Sequence, residues 1–209
     1  GEVVREAYLK LLVNLVLEDD GSIDERELAE IQVLMTQLNS SSELRFRIRT
    51  YLVETDISTQ DLLDTLDEHA PRGSERPLQF SLVKEIIRVI RCTHPDYDLC
   101  ENAFLRRVCE RYDINEAQVE VVAMAVDNDL KILDGDTDDS IIVRNAKDLS
   151  AKAAAVGVPI AAVYLSGSVA GLSAAGITSG LATLGLGGVL GLSSMVTGIG
   201  VAVIIGVSA

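Results

Sequence analysis

Asp19, Asp20, Asp24 and Glu27 set four carboxylates in one short stretch, and a hard cation such as Ca2+ or Mg2+ takes several oxygen ligands held close together. Asp20, Gly21, Ile23 and Glu27 fall at positions 5, 6, 8 and 12 of an EF-hand loop. Position 1 is then Val16, which has no ligand atom, so an EF-hand is excluded. The same residues are also what a helix start needs. Asp24 as N-cap, with Glu27 three residues on, makes a capping box, and carboxylates there meet the positive end of the helix dipole. Both readings stand open. Asp98 and Glu101 repeat the Asp-x-x-Glu spacing and would complete a site if the fold joined the two stretches. The only cofactor these residue types suggest is Ca2+ or another divalent cation.

Other reactive groups are sparse. Asp134, Asp136, Asp138 and Asp139 alternate as a calcium loop would, but Asp139 stands where such a loop needs Gly and Asn145 where it needs Glu. A solvated linker accounts for them. Cys92, Cys100 and Cys109 form no Cys-x-x-Cys pair, which structural zinc sites show, so they are read as small apolar fillers in a reducing compartment. With two histidines, no P-loop, no Gly-x-Ser-x-Gly and no dinucleotide fingerprint, an enzyme is not expected. The net charge of −14 lies entirely on residues 1–152, and nucleic-acid binding, which needs a clustered basic surface, is not expected.

The elements that position these groups are helical. Val4, Ala7, Tyr8, Leu11, Leu12, Leu15 and Val16 recur at helical spacing over 2–17, and Leu28, Ile31, Leu34, Met35 and Leu38 form the stripe of a second helix. A third helix runs from the turn at Asn39–Ser42 to about Val53, and a fourth starts at Ser58 with Leu62, Leu63 and Leu66 inward. Pro71 opens a polar loop expected to last until a helix over 80–91, with Leu82, Val83, Ile86, Ile87, Val89 and Ile90 apolar. Two more helices follow, over 98–111 and from an Asn115/Gln118 cap. Seven helices thus fit before Asp127. Shifting by 74 positions places Asp24 on Asp98, Glu27 on Glu101 and Leu38 on Tyr112, so the frame occurs twice. A unit that cannot bury its stripe alone gains by pairing with a copy.

LEDDGSIDERELAEIQ (17–32) resembles the first signature of the TerB-like domain of tellurite-resistance and DnaJ-associated proteins, and HPDYDLCENAFLRRV (94–108) resembles its second. Pro95 stands in the second copy where the first has Gly21. The resemblance covers roughly residues 2–126. It implies a seven-helix bundle, metal binding, and membrane-linked stress or defence systems.

Residues 153–209 contain no Asp, Glu, Lys, Arg or His and hold twelve of the sixteen glycines. A spanning helix needs about 20 apolar residues. Residues 153–172 and 189–207 each supply about that, so a helical hairpin is expected. Gly167/Gly171, Gly176/Gly180 and Gly187/Gly191 are small-residue pairs that let helix backbones approach closely in lipid. Just before the run, Arg144, Lys147 and Lys152 lie on a helix expected over 140–152. There they would meet anionic headgroups or serve as ordinary solvated positions. GLSAAGITSGLATLG (171–185) is similar to the Gly/Ala core of the interferon-inducible small mitochondrial membrane proteins, which implies membrane residence and a link to cell death or antiviral defence. The chain opens on Gly1 and stops inside VAVIIGVSA, so a longer parent chain is expected.

The expected fold is all-α. A seven-helix pseudo-twofold TerB-like bundle (1–126) leads through an acidic linker and short basic amphipathic helix (127–152) to a Gly-rich hydrophobic helical hairpin (153–209). Two functions fit. One is a membrane-associated stress or antiviral-defence effector or sensor, a cytoplasmic module attached to a membrane, the bacterial inner membrane foremost. Its acidic module would bind a protein partner or divalent metal, and its hairpin would insert in lipid and self-associate. The other is a soluble homo-oligomeric scaffold with the apolar run as its buried assembly core.

Overall fold

The computed structural model describes residues 1–133 and 139–165. Among these it holds α-helices, one 3-10 turn and no strand, so the chain is all-α in its described part. The helices are α1 (Glu2–Asp20), α2 (Glu25–Gln37), α3 (Ser42–Tyr51), α4 (Thr59–His69), α5 (Glu75–Thr93), α6 (Ala103–Arg111), α7 (Glu116–Leu133), α8 (Asp139–Val156) and α9 (Ile160–Leu165). The 3-10 turn, Leu99–Glu101, precedes α6.

Local chemistry sets most of the boundaries. Gly21 takes φ 76° and ends α1, donating its N–H to the Leu17 carbonyl. A side chain there would be strained. The Asp24 carboxylate then accepts from the Glu27 N–H at 2.8 Å, and the Asp24 N–H donates to Glu27 Oε2 at 3.0 Å, closing the expected capping box. Ser41, Ser58 and Asn115 cap α3, α4 and α7 in the same way, with Gln118 returning the bond to Asn115. The second Asp-x-x-Glu copy behaves differently. Asp98 caps only the short 3-10 turn, through the Cys100 N–H, and Asn102 starts α6 by accepting from Leu105. The single helix expected over 98–111 is therefore a turn followed by a shorter helix.

The loop after Pro71 is also shorter than expected. Helix α5 begins at Glu75 and carries Pro77 in its first turn, where the missing N–H has no intrahelical acceptor in any case.

Helices α1 and α5 are the two long members around which the others pack. Helices α2, α3 and α4 lie on α1, while α6, α7 and α9 lie on α5, and α5 also touches α1 and α2. Leu9, Leu11, Leu12 and Val13 of α1 and Phe80, Leu82, Ile86 and Ile87 of α5 are fully buried. Burial of each such side chain contributes about 1.5–3 kcal/mol. Asn14 fastens the α3–α4 connection to α1, accepting from the Tyr51 hydroxyl at 2.8 Å and donating to the Ile57 carbonyl at 3.0 Å.

The uncharged run begins inside this bundle. Helix α8 continues past Lys152 to Val156, and Gly157, at φ 74°, ends it. The Val158 N–H closes back onto the Ala153 carbonyl, and α9 follows Pro159. Ala153, Val158, Ala162 and Val163 are all buried in the common core. A continuous apolar helix starting at Ala153 is therefore not what forms, because the Gly157–Pro159 break turns the chain. The rest of the expected hairpin, including Gly167, Gly171, Gly176, Gly180, Gly187 and Gly191, lies outside the described residues, as do Asp134, Asp136 and Asp138.

Replacing Asp24 by Ala removes the cap acceptor of the Glu27 N–H. Urea denaturation is expected to show a loss of about 1 kcal/mol, with Asp24→Asn recovering most of it.

Candidate functional site

The acidic residues at the two helix breaks are only partly gathered. Asp24 is exposed and engaged in its cap, whereas Glu27 is buried. Glu27 lines a small cavity with His94, Tyr97 and Asn102, so the first break does meet the second. Asp98 and Glu101 are exposed and do not line that cavity. Asp19 and Asp20 close α1, but their side chains lie outside the described set. Among the described residues, no group of three or more His, Cys, Asp and Glu side chains is placed to hold a metal ion. Nearby, Cys92 is pushed up to about 12 by burial and then by the charges of Glu30, Glu27 and Asp24, so it is a poor nucleophile.

The basic residues before the run lie where a surface contact needs them. Arg144, Lys147 and Lys152 are exposed on α8, while Leu149, Ser150 and Ala153 are buried. At about 100° per residue the basic side chains span an arc of roughly 140° on the side opposite the buried stripe. Asp148 is exposed on the same side. Lys152 also reaches the Met124 sulfur at 3.8 Å.

The densest polar chemistry is where no motif pointed, along α5. Lys84, Glu85 and Arg88 are 1%, 3% and 4% exposed, and Ser81 beside them is buried too. Helical geometry puts all four within an arc of about 100°, so they form one stripe running into the bundle. Lys84 Nζ pairs with Asp129 of α7 at 2.7 Å and donates to the Val163 carbonyl of α9 at 2.5 Å. Arg88 Nε pairs with Glu30 of α2 at 2.7 Å. Glu85 Oε1 finds no hydrogen-bond partner among the described residues.

Burial pushes the Glu85 carboxyl up to about 7. Lys84 and Arg88 oppose the shift, and the charges of Glu30 and Asp129 add to it. Tyr8 of α1 is raised well above its ordinary value, first by burial and then by Glu85. The stripe thus carries two paired cations and one carboxyl poised to take up a proton near neutrality.

Sequence reading missed this stripe because charged residues opposite an apolar face ordinarily mark solvent. The available signal was the width of that face. Leu82, Val83, Ile86, Ile87, Val89 and Ile90 cover about half the helix circumference, which is more than one packing partner needs.

The Glu85 carboxyl sets a pH dependence whose sign is fixed. Its folded value of about 7 lies above its ordinary 4.5, so the folded state binds the proton more tightly. The group imposes no penalty below pH 4.5; between 4.5 and 7 stability falls as pH rises, and above 7 the loss is complete. At about 1.4 kcal/mol per pKa unit the loss reaches up to roughly 3 kcal/mol. In urea denaturation across pH 4–8, Glu85→Gln is expected to gain on the wild type by that amount as pH rises. A constant difference between the two would remove Glu85 as the group responsible.

No family model, no curated protein and no solved structure matches this chain.

Proposed function

We propose that this chain is a membrane-associated effector or sensor of the stress or defence kind, in which the acidic helical module governs an apolar segment that inserts and self-associates in lipid. The observation that carries the reading is the complete absence of charge over 153–209, joined directly to a module that bears the whole net charge of −14. The exposed Arg144, Lys147 and Lys152 on the outer side of α8 support it, since they stand at the entrance to that run and suit anionic headgroups. Among the described residues no helix is long and apolar enough to cross a membrane, so insertion is assigned to residues after Leu165.

The recurrence of capped helices at an offset of 74, with Ser41 answering to Asn115, supports a pseudo-twofold TerB-like module. Its divalent-cation site would draw on Asp19, Asp20, Asp24 and Glu27, with Asp98 and Glu101 as the second copy. Binding of a protein partner to the acidic surface belongs to the same reading.

A second reading, a soluble homo-oligomeric scaffold with the run as its assembly core, is favoured by one observation. Ala153, Val158, Ala162 and Val163 are already shielded by protein.

Liposome flotation with dye release separates the two. The full chain is expected to float and to release dye, whereas a chain ending at Leu165, which keeps α9 and its buried side chains, stays in the soluble fraction. A full chain that remains soluble as a discrete oligomer without detergent, leaving liposomes tight, would replace the first reading with the second.

A further inference from the structure

Helix α3 is amphipathic, yet the middle of its outer face is apolar. Leu44, Ile48 and Tyr51 are buried, and the helix packs chiefly on α1. On the opposite side Phe46 is 71% exposed and Val53 is 89% exposed, more than any other large apolar side chain among the described residues. Helical winding carries past Tyr51, since Leu52 keeps right-handed φ and ψ and the Glu54 N–H donates to the Thr50 carbonyl at 3.1 Å. At about 100° per residue, Phe46, Thr50 and Val53 fall within an arc of roughly 60°, opposite the buried stripe.

The two edges of that strip carry opposite charge. Arg49 lies about 60° to one side of Phe46, and Glu54 about 80° to the other. Arg45 shares the basic edge and Glu43 the acidic one. Arg45 donates to the Ser40 carbonyl, and Glu43 is held by Arg47, which also binds Glu2 and Glu6. The side chains of Arg49 and Glu54 are exposed and have no partner among the described residues.

The opposed edges decide what covers this face. An anionic lipid surface suits the basic edge and is repelled by the acidic one, and an acidic peptide fares the same. A second copy of the face satisfies both edges, provided the two helices run parallel. Rotation about an axis parallel to the helices sets the basic edge of each against the acidic edge of the other. Antiparallel pairing would set like charge against like. In the parallel pair Phe46 meets its own counterpart, as does Val53, and Arg49 reaches Glu54 of the copy, as flanking charges do beside an apolar seam.

We infer that the outer face of α3 is a self-association surface, on which two copies of this chain pair in parallel along Phe46, Thr50 and Val53 with reciprocal Arg49–Glu54 ion pairs. The strip spans two helical turns, which puts the contact at the small end of specific interfaces, so pairing is reversible and concentration-dependent. It belongs to the helical module and does not rest on the membrane reading above.

The test uses the full chain in mild detergent, with the exposed Cys100 replaced by Ser. Thr50→Cys lies beside the expected twofold axis, where two helix backbones come within disulfide reach. Gln60→Cys, exposed on α4, is the control. In a glutathione redox buffer Thr50→Cys is expected to yield about tenfold more linked dimer than the control, because pairing raises the local thiol concentration. Arg49→Glu or Glu54→Arg, added singly to the Thr50→Cys chain, sets like charges together on both edges and is expected to lower that yield about threefold or more. The two combined exchange the edges and are expected to restore it.

Equal linking at Thr50 and Gln60 would overturn pairing with a second copy. So would a double reversal that pairs as weakly as the single ones, and this face would then belong to a different kind of partner. Binding of lipid or an acidic peptide predicts no such recovery, since Arg49→Glu alone would abolish it.

Discussion

A helix buried on every side must find a partner for each charge it carries, and α5 is that helix. Its polar stripe reaches into four neighbours: Lys84 to α7 and α9, Arg88 to α2, and Glu85 toward Tyr8 of α1. Apolar packing alone would let these helices slide relative to one another with modest loss. Point charges with single partners permit far less, because an ion pair broken inside the bundle leaves an uncompensated charge. The stripe thus fixes how the two halves of the bundle sit, in the part of the chain that hydrophobic spacing leaves unspecified.

The charge count within the stripe also explains its odd member. Two cations, Lys84 and Arg88, face three carboxylates, Glu85, Glu30 and Asp129. Asp129 and Glu30 each hold a short ion pair, which leaves Glu85 surplus. A surplus carboxyl in a low-dielectric interior becomes neutral by taking a proton. Its upward shift therefore follows from stoichiometry as well as burial.

What was legible in the sequence follows from whether a signal is local. The capping box of Asp24 and Glu27, and that of Asn115 and Gln118, are complete within four residues, so spacing alone located them. The start of α5 was not legible from Pro71, since Pro77 reads as a breaker unless the helix is known to begin just before it. The burial of Lys84, Glu85 and Arg88 was not legible for a related reason. Burial of a polar face is decided by what returns to cover it, here α7 and α9 from far along the chain. No window around residue 84 contains Asp129 or Val163.

The same non-locality bears on the uncharged run. Absence of charge says only that a segment avoids water, and the interior of a protein serves as well as lipid. Gly157, at φ 74°, and Pro159 divide the run, the first by its left-handed backbone and the second by its missing N–H. Within and just past that break, Val158, Ala162 and Val163 have exchanged water for the protein core. That exchange places a backbone carbonyl over a buried lysine, which gives an uncharged segment a specific ionic tether.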